Sequence, residues 1–155
     1  MKFLRNVDSL SYSLASSQAR IFENSVSFGI PSKIFIKCYM LSNQAKLLDD
    51  LSLDVAGLSE VEIFDAVKEN IKTTRGELYP FEIMHYIGFF YRMCSYLTGE
   101  NSNWVYIKIK PDFLYKNYKM IHSLPVEEAI KEVFEIKNIE LEDKYSLFKK
   151  LYKIE

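Results

Sequence analysis

Cysteine, histidine, glycine and proline are all scarce in this chain, and each scarcity removes a class of answer. Its two cysteines, Cys38 and Cys94, lie far apart and form neither a CxxC pair nor any other metal-ligand spacing. Both sit in apolar helical patterns, which reads them as buried free thiols in a reducing compartment. The two histidines, His85 and His122, are the only imidazoles available as a general base. Cys94 follows His85 by nine residues on one helix and so faces another side, and no GxSxG elbow, HExxH motif or glycine-rich phosphate loop occurs. Neither histidine trails an arginine at the spacing used by helical ribonucleases. No cofactor or metal is called for by any of these patterns.

Long apolar runs are missing too. No stretch of about 18 uninterrupted apolar residues is present, and the opening MKFLRNVDSLSYSL carries Arg5, Asp8 and several serines where a signal peptide needs an apolar core. The expectation is a soluble, cytoplasmic protein with no membrane partner. Twenty lysines and arginines against 21 acids leave a net charge of -1, so bulk charge does not indicate a nucleic acid. Five glycines and four prolines leave few sharp turns, which favours long helices.

Apolar and aromatic residues are what the chain has in abundance: 48% hydrophobic, with 11 tyrosines, 11 phenylalanines and one tryptophan in 155 residues. That length suits one domain, which buries roughly 70% of the surface of its unfolded chain. The densest run spans Pro80 to His122. Within it Ile83, Ile87, Phe90, Cys94 and Leu97 recur at steps of four and three, the apolar stripe of a buried helix. Pro80 suits its start and Gly99 its left-handed end. Beside that stripe runs a second, His85, Phe89, Arg92 and Tyr96, mixing polar and aromatic groups.

Other helices follow from capping and periodicity. A first helix, 8–28, is weakly apolar in its middle (SLASSQAR), which places it along a flank or against a partner. Ser32 opens a helix to about Asp50, with a break near Ser42-Asn43, and Asp49-Asp50 at its end reads as solvated. Ser59 and Glu62 make a capping box for a helix through Val61, Phe64, Val67 and Ile71. Ser102 caps a short helix with Val105, Tyr106 and Ile109, for which a strand is the alternative; Pro111 starts another, and Ser123 caps Leu124–Phe134. The tail 140–154 places Leu141, Tyr145, Phe148, Leu151 and Tyr152 on one side and lysines on the other. The fold class is thus all-α: a single domain, 1–155, of about six to eight helices around a central helix near 80–98, with 32–134 as its core and both terminal helices flanking. Those terminal helices could also pair two copies.

Arg92 is the most informative polar residue. A guanidinium so placed is either paired inside, with Glu82, Glu77 or backbone carbonyls, or aimed at a ligand or partner. Tyr91, Tyr96, Tyr106 and Tyr118, with Arg92 and His122, could form one polar network and are the candidate binding residues. His122 precedes a helix start and orients a turn; His85 reads as a core residue.

The runs FIKCYMLSNQAKLLD, HYIGFFYRMCSYLTGENSNWVYIKI and LYKNYKMIHSLPVEEAI carry a resemblance. Ile87-Gly88-x-x-Tyr91-Arg92, Thr98-Gly99, Ser102, Tyr106 and Tyr118-x-x-x-His122, spanning about residues 32–134, resemble a family of small uncharacterised bacterial proteins. Both terminal helices and Asn103-Trp104 depart from that pattern. The resemblance implies a companion of ADP-ribosyltransferase-like toxins: a non-catalytic protein-binding antitoxin or accessory protein of a toxin–antitoxin or phage-defence locus. Two other readings stay open. One is a small-ligand or nucleotide enzyme around Arg92, Tyr118 and His122; the other is a phage-encoded inhibitor of a host defence protein.

Overall fold

The computed structural model describes residues 4–50, 58–73 and 75–141. Among these residues there are eight helices and no strand: α1 (Ser9–Ser27), α2 (Ser32–Met40), α3 (Asn43–Asp49), α4 (Glu60–Lys68), α5 (Phe81–Thr98), α6 (Ser102–Lys108), α7 (Pro111–Ile121) and α8 (Val126–Ile136). The all-α expectation holds, and no helix among the described residues is long and apolar enough to cross a membrane. Most of the tail 140–154 and of the 51–58 connection lies outside the described residues.

The central helix falls where its pattern places it. Pro80 sits at the N-cap of α5 and Gly99 ends it at φ 77°, a left-handed turn that a Cβ would strain. Every residue from Met84 to Thr98 is buried except His85, Tyr86 and Phe89. Around α5 stand α1, α6, α7 and α8.

The N-terminal helix corrects the expectation most. Instead of lying on a flank, α1 makes the most extensive helix–helix contact in the molecule, running antiparallel to α5. Its buried face is Ser11, Ala15, Gln18, Ala19, Phe22 and Ser25. These small residues give little burial each, but they let two backbones approach, and α5 presents Gly88 at the closest point. A Cβ built on Gly88 would stand 2.9 Å from the Gln18 carbonyl oxygen and from Phe22 Cγ, and 3.0 Å from Ala19 Cα. Alanine normally gains about 1 kcal/mol over glycine inside a helix. Here Gly88→Ala is expected to destabilise by about 1–3 kcal/mol instead, because two of the three neighbouring atoms are backbone and cannot swing away. Urea denaturation of the two proteins measures the sign directly.

Smaller corrections concern caps. Ser42 does break the helix after Met40, accepting the Ala45 N–H at 3.1 Å. Ser59 accepts the Glu62 N–H at 3.1 Å, although its hydroxyl also donates to the Glu62 carboxylate in place of the return bond of a full capping box. Ile63, not Val61, turns inward from α4. The run WVYIKI is helical, but its cap is Asn101, which accepts the Trp104 N–H at 2.8 Å; Ser102 is the first residue of α6 and has another task. Pro125 rather than Ser123 stands at the start of α8, since its fixed φ of -51° already suits a helix entrance.

Candidate functional site

Arg92 projects from the buried side of α5 and is 0% exposed. A charge there must be paired, and all three guanidinium nitrogens are. Nε donates to Gln18 Oε1 at 2.8 Å, Nη1 to Asp49 Oδ1 at 2.5 Å, and Nη2 to Ser102 Oγ at 2.9 Å. One side chain on α5 therefore ties down α1, α3 and α6. None of the internal partners expected for it, Glu77, Glu82 or backbone carbonyls, is the one used. Chain distance explains the miss: Gln18 is 74 residues away and Asp49 is 43.

Each partner is itself fixed by a further bond. Gln18 Oε1 also accepts the Tyr39 hydroxyl at 2.9 Å, and its Nε2 donates to the Gly88 carbonyl at 2.9 Å. Asp49 corrects the expectation of a solvated end group. It closes α3, where the helix dipole disfavours a carboxylate, but it reaches the N-terminus of α6, where the dipole favours one. There its Oδ2 accepts the Ser102 N–H at 2.9 Å and its Oδ1 accepts the Ser102 hydroxyl at 2.5 Å. The Ser95 hydroxyl donates to the Glu100 carbonyl at 2.5 Å beside it. No buried side-chain nitrogen or oxygen among the described residues lacks a hydrogen-bond partner. Desolvation opposes the charge on Arg92, and the oxygens of Tyr39, Tyr96 and Asp49 outweigh it, so its pKa stands above the ordinary value.

The sequence-selected residues divide into separate places. Tyr96 belongs with Arg92: its ring lies 5.3 Å under the guanidinium carbon, and its hydroxyl donates to the Leu48 carbonyl at 2.8 Å. Tyr91 points elsewhere, donating to the Ile109 carbonyl at 2.6 Å, with burial pushing its pKa well up. Tyr106 lies under the ammonium of Lys110 at 4.2 Å. Tyr118 and His122 form their own pair, rings stacked at 4.4 Å, and Tyr118 meets the edge of Tyr86. His122 Nδ1 lies 2.8 Å from the Tyr118 carbonyl oxygen, in keeping with the turn-orienting role. His85 is exposed rather than in the core, 3.1 Å from Glu23 on α1. The single network expected from all six residues is thus two clusters and two isolated tyrosines.

Gln18, Asp49 and Ser102 are the functional partners that the sequence did not single out, and Tyr39 completes them. Their one legible signal is a glutamine set among small residues, Ala15-Ser16-Ser17-Gln18-Ala19, on a helix face that must pack closely.

A cavity of about 540 Å³ adjoins this network, and Asp49, Ser95 and Tyr96 form its inner wall. Asp8, Asp50 and Glu100 add negative charge around it, with Arg5 opposing them. An anion entering here meets the carboxylate of Asp49 before the guanidinium behind it. As for the thiols, burial pushes Cys94 far above the ordinary range and raises half-buried Cys38 less. A thiol reagent is expected to label Cys38 in the native protein and Cys94 only as it unfolds, which mass spectrometry of timed aliquots resolves.

Comparison of the chain with protein-family models, with curated proteins and with solved structures found no match.

Proposed function

We propose that this protein works by gripping another protein and performs no catalysis of its own, as an antitoxin or accessory protein that neutralises or regulates a toxin. One observation carries this reading. Arg92, the group on which a nucleotide or phosphate enzyme would have to rely, is wholly buried and spends every nitrogen on Gln18, Asp49 and Ser102. Its companions in such a site, Tyr118 and His122, pack against Tyr86 in a separate cluster. The arginine therefore serves to lock four helices into one rigid body, and rigid helical surfaces bind with little ordering cost. Apolar side chains left outside, including Phe28 at 55% and Ile107 at 58% exposed, offer material for such contacts.

The resemblance to companions of ADP-ribosyltransferase-like toxins supplies the kind of partner, and the test follows from it. Cells expressing the toxin encoded beside this gene should resume growth when this protein is co-expressed, and the two should co-purify. Equal toxicity with and without it would sink the reading. A thermal shift with millimolar NAD or ATP, abolished by Arg92→Met, would favour the enzyme instead.

A further inference from the structure

Positive charge in this chain is sorted even though it sums to nearly zero. The segments 29–48 and 101–111 contain Lys33, Lys37, Lys46, Lys108 and Lys110 and not one aspartate or glutamate. The fold puts these two segments together, since α2 packs on α6. Along the outer side of α2, Lys37 and Leu41 are one turn apart and exposed; on α6, Ile107 and Lys108 are exposed, and Lys110 follows. The acids flanking the segments are largely spent: Asp49 is bound inside by Arg92, and Asp112 pairs with Lys33 at 2.9 Å. Lys108 and Lys110 lie over the rings of Trp104 and Tyr106, at 5.8 and 4.2 Å, which holds their ammonium groups against the surface.

From this arrangement we infer that the α2–α6 face, Lys37, Leu41, Trp104, Ile107, Lys108 and Lys110, is the docking surface for an acidic, apolar-centred segment of the protein partner. Charge complementarity names the sign of the occupant. Leu41 at 41% and Ile107 at 58% exposed name its class, because a phosphate backbone offers nothing to two bare aliphatic side chains set among the lysines. An amphipathic acidic helix satisfies both. The cations are all lysines, point charges suited to carboxylates at a rim, with no arginine fork for bidentate phosphate. This inference rests on the partner-binding reading above and narrows it to one face.

Trp104 provides the readout, being the only tryptophan in the chain and lying half-buried on this face. The full-length protein is titrated with a peptide of about 20 residues bearing glutamates on one helical face and leucines on the other. Saturable change in Trp104 emission is expected, weakening several-fold between roughly 0.05 and 0.3 M salt. The variant Lys37→Glu/Lys108→Glu/Lys110→Glu, whose circular dichroism melt should match the parent's because its sites are exposed, is expected to lose about tenfold or more in affinity. Lys68→Glu/Lys131→Glu, on α4 and α8, should bind as the parent does. No emission change up to about 1 mM peptide, equal binding by the triple variant, or tighter binding of a single-stranded RNA of similar length would overturn the proposal. So would a dimer in sedimentation that the triple variant dissolves, which would make a second copy the occupant. The co-expression assay separates the two readings. Peptide binding without relief of toxicity removes the toxin and keeps the face; relief unaffected by the triple variant removes the face and keeps the toxin.

Discussion

Arg92→Met should lower the unfolding free energy by about 3–5 kcal/mol, the cost of leaving a buried carboxylate without its counter-charge. For a domain of this size, that corresponds to a fall in thermal midpoint on the order of 10 °C. Methionine fills most of the volume, so the loss is electrostatic rather than a cavity. Asp49 would keep the Ser102 N–H and hydroxyl but lose its cation, and Gln18 Oε1 would keep only the Tyr39 hydroxyl. A second variant separates this account from simple misfolding. Arg92→Met/Asp49→Leu removes both charges, and replacing a buried ion pair by apolar groups is often close to neutral. Most of the lost stability should therefore return in the double variant. Were the double variant as unstable as the single one, Arg92 would be acting through its packing alone. A single variant with an unchanged midpoint would mean that the guanidinium is not enclosed as described.

How much of this could be read from the chain depends on the range of the physics involved. The central helix was legible to within a residue because its stripe, its proline and its glycine are all local signals, confined to 80–99. Caps within three residues were mostly legible for the same reason; Ser102 misled because a serine before a helical run fits a cap and a buried network equally well. That Arg92 needed partners was plain from its setting, whereas which partners it has was not. Gln18, Asp49 and Ser102 come from three different helices, and nothing in their own neighbourhoods marks them as sharing one guanidinium. Asp49 was assigned to solvent on its own helix dipole, a correct local argument reversed by the N-terminus of α6 arriving from elsewhere. For α1, average apolarity misled: small residues score as weakly buried, yet small residues are what a close crossing at Gly88 requires.

Phe22→Ala puts that reassignment of α1 to its hardest test. Phe22 is 0% exposed and meets Phe35 and Tyr39 edge-on, at ring separations of 5.6 and 4.9 Å. It also lies beneath Gly88, where α1 and α5 come closest. Truncating a fully buried phenylalanine costs about 3–5 kcal/mol, through lost transfer energy and the cavity left behind, and the two edge-on pairs push the value toward the upper end. Relaxation of the walls is the usual escape, but it is restricted here: Tyr39 is held through its hydroxyl to Gln18, and Gln18 in turn to Arg92 and Gly88. Phe28, six residues on and 55% exposed, is the internal control, and Phe28→Ala should stay within about 1 kcal/mol. A helix docked on a flank would show two small and similar losses. The large difference expected between positions 22 and 28, measured by urea denaturation with the slope unchanged, follows only if α1 is half of the molecule's central pair.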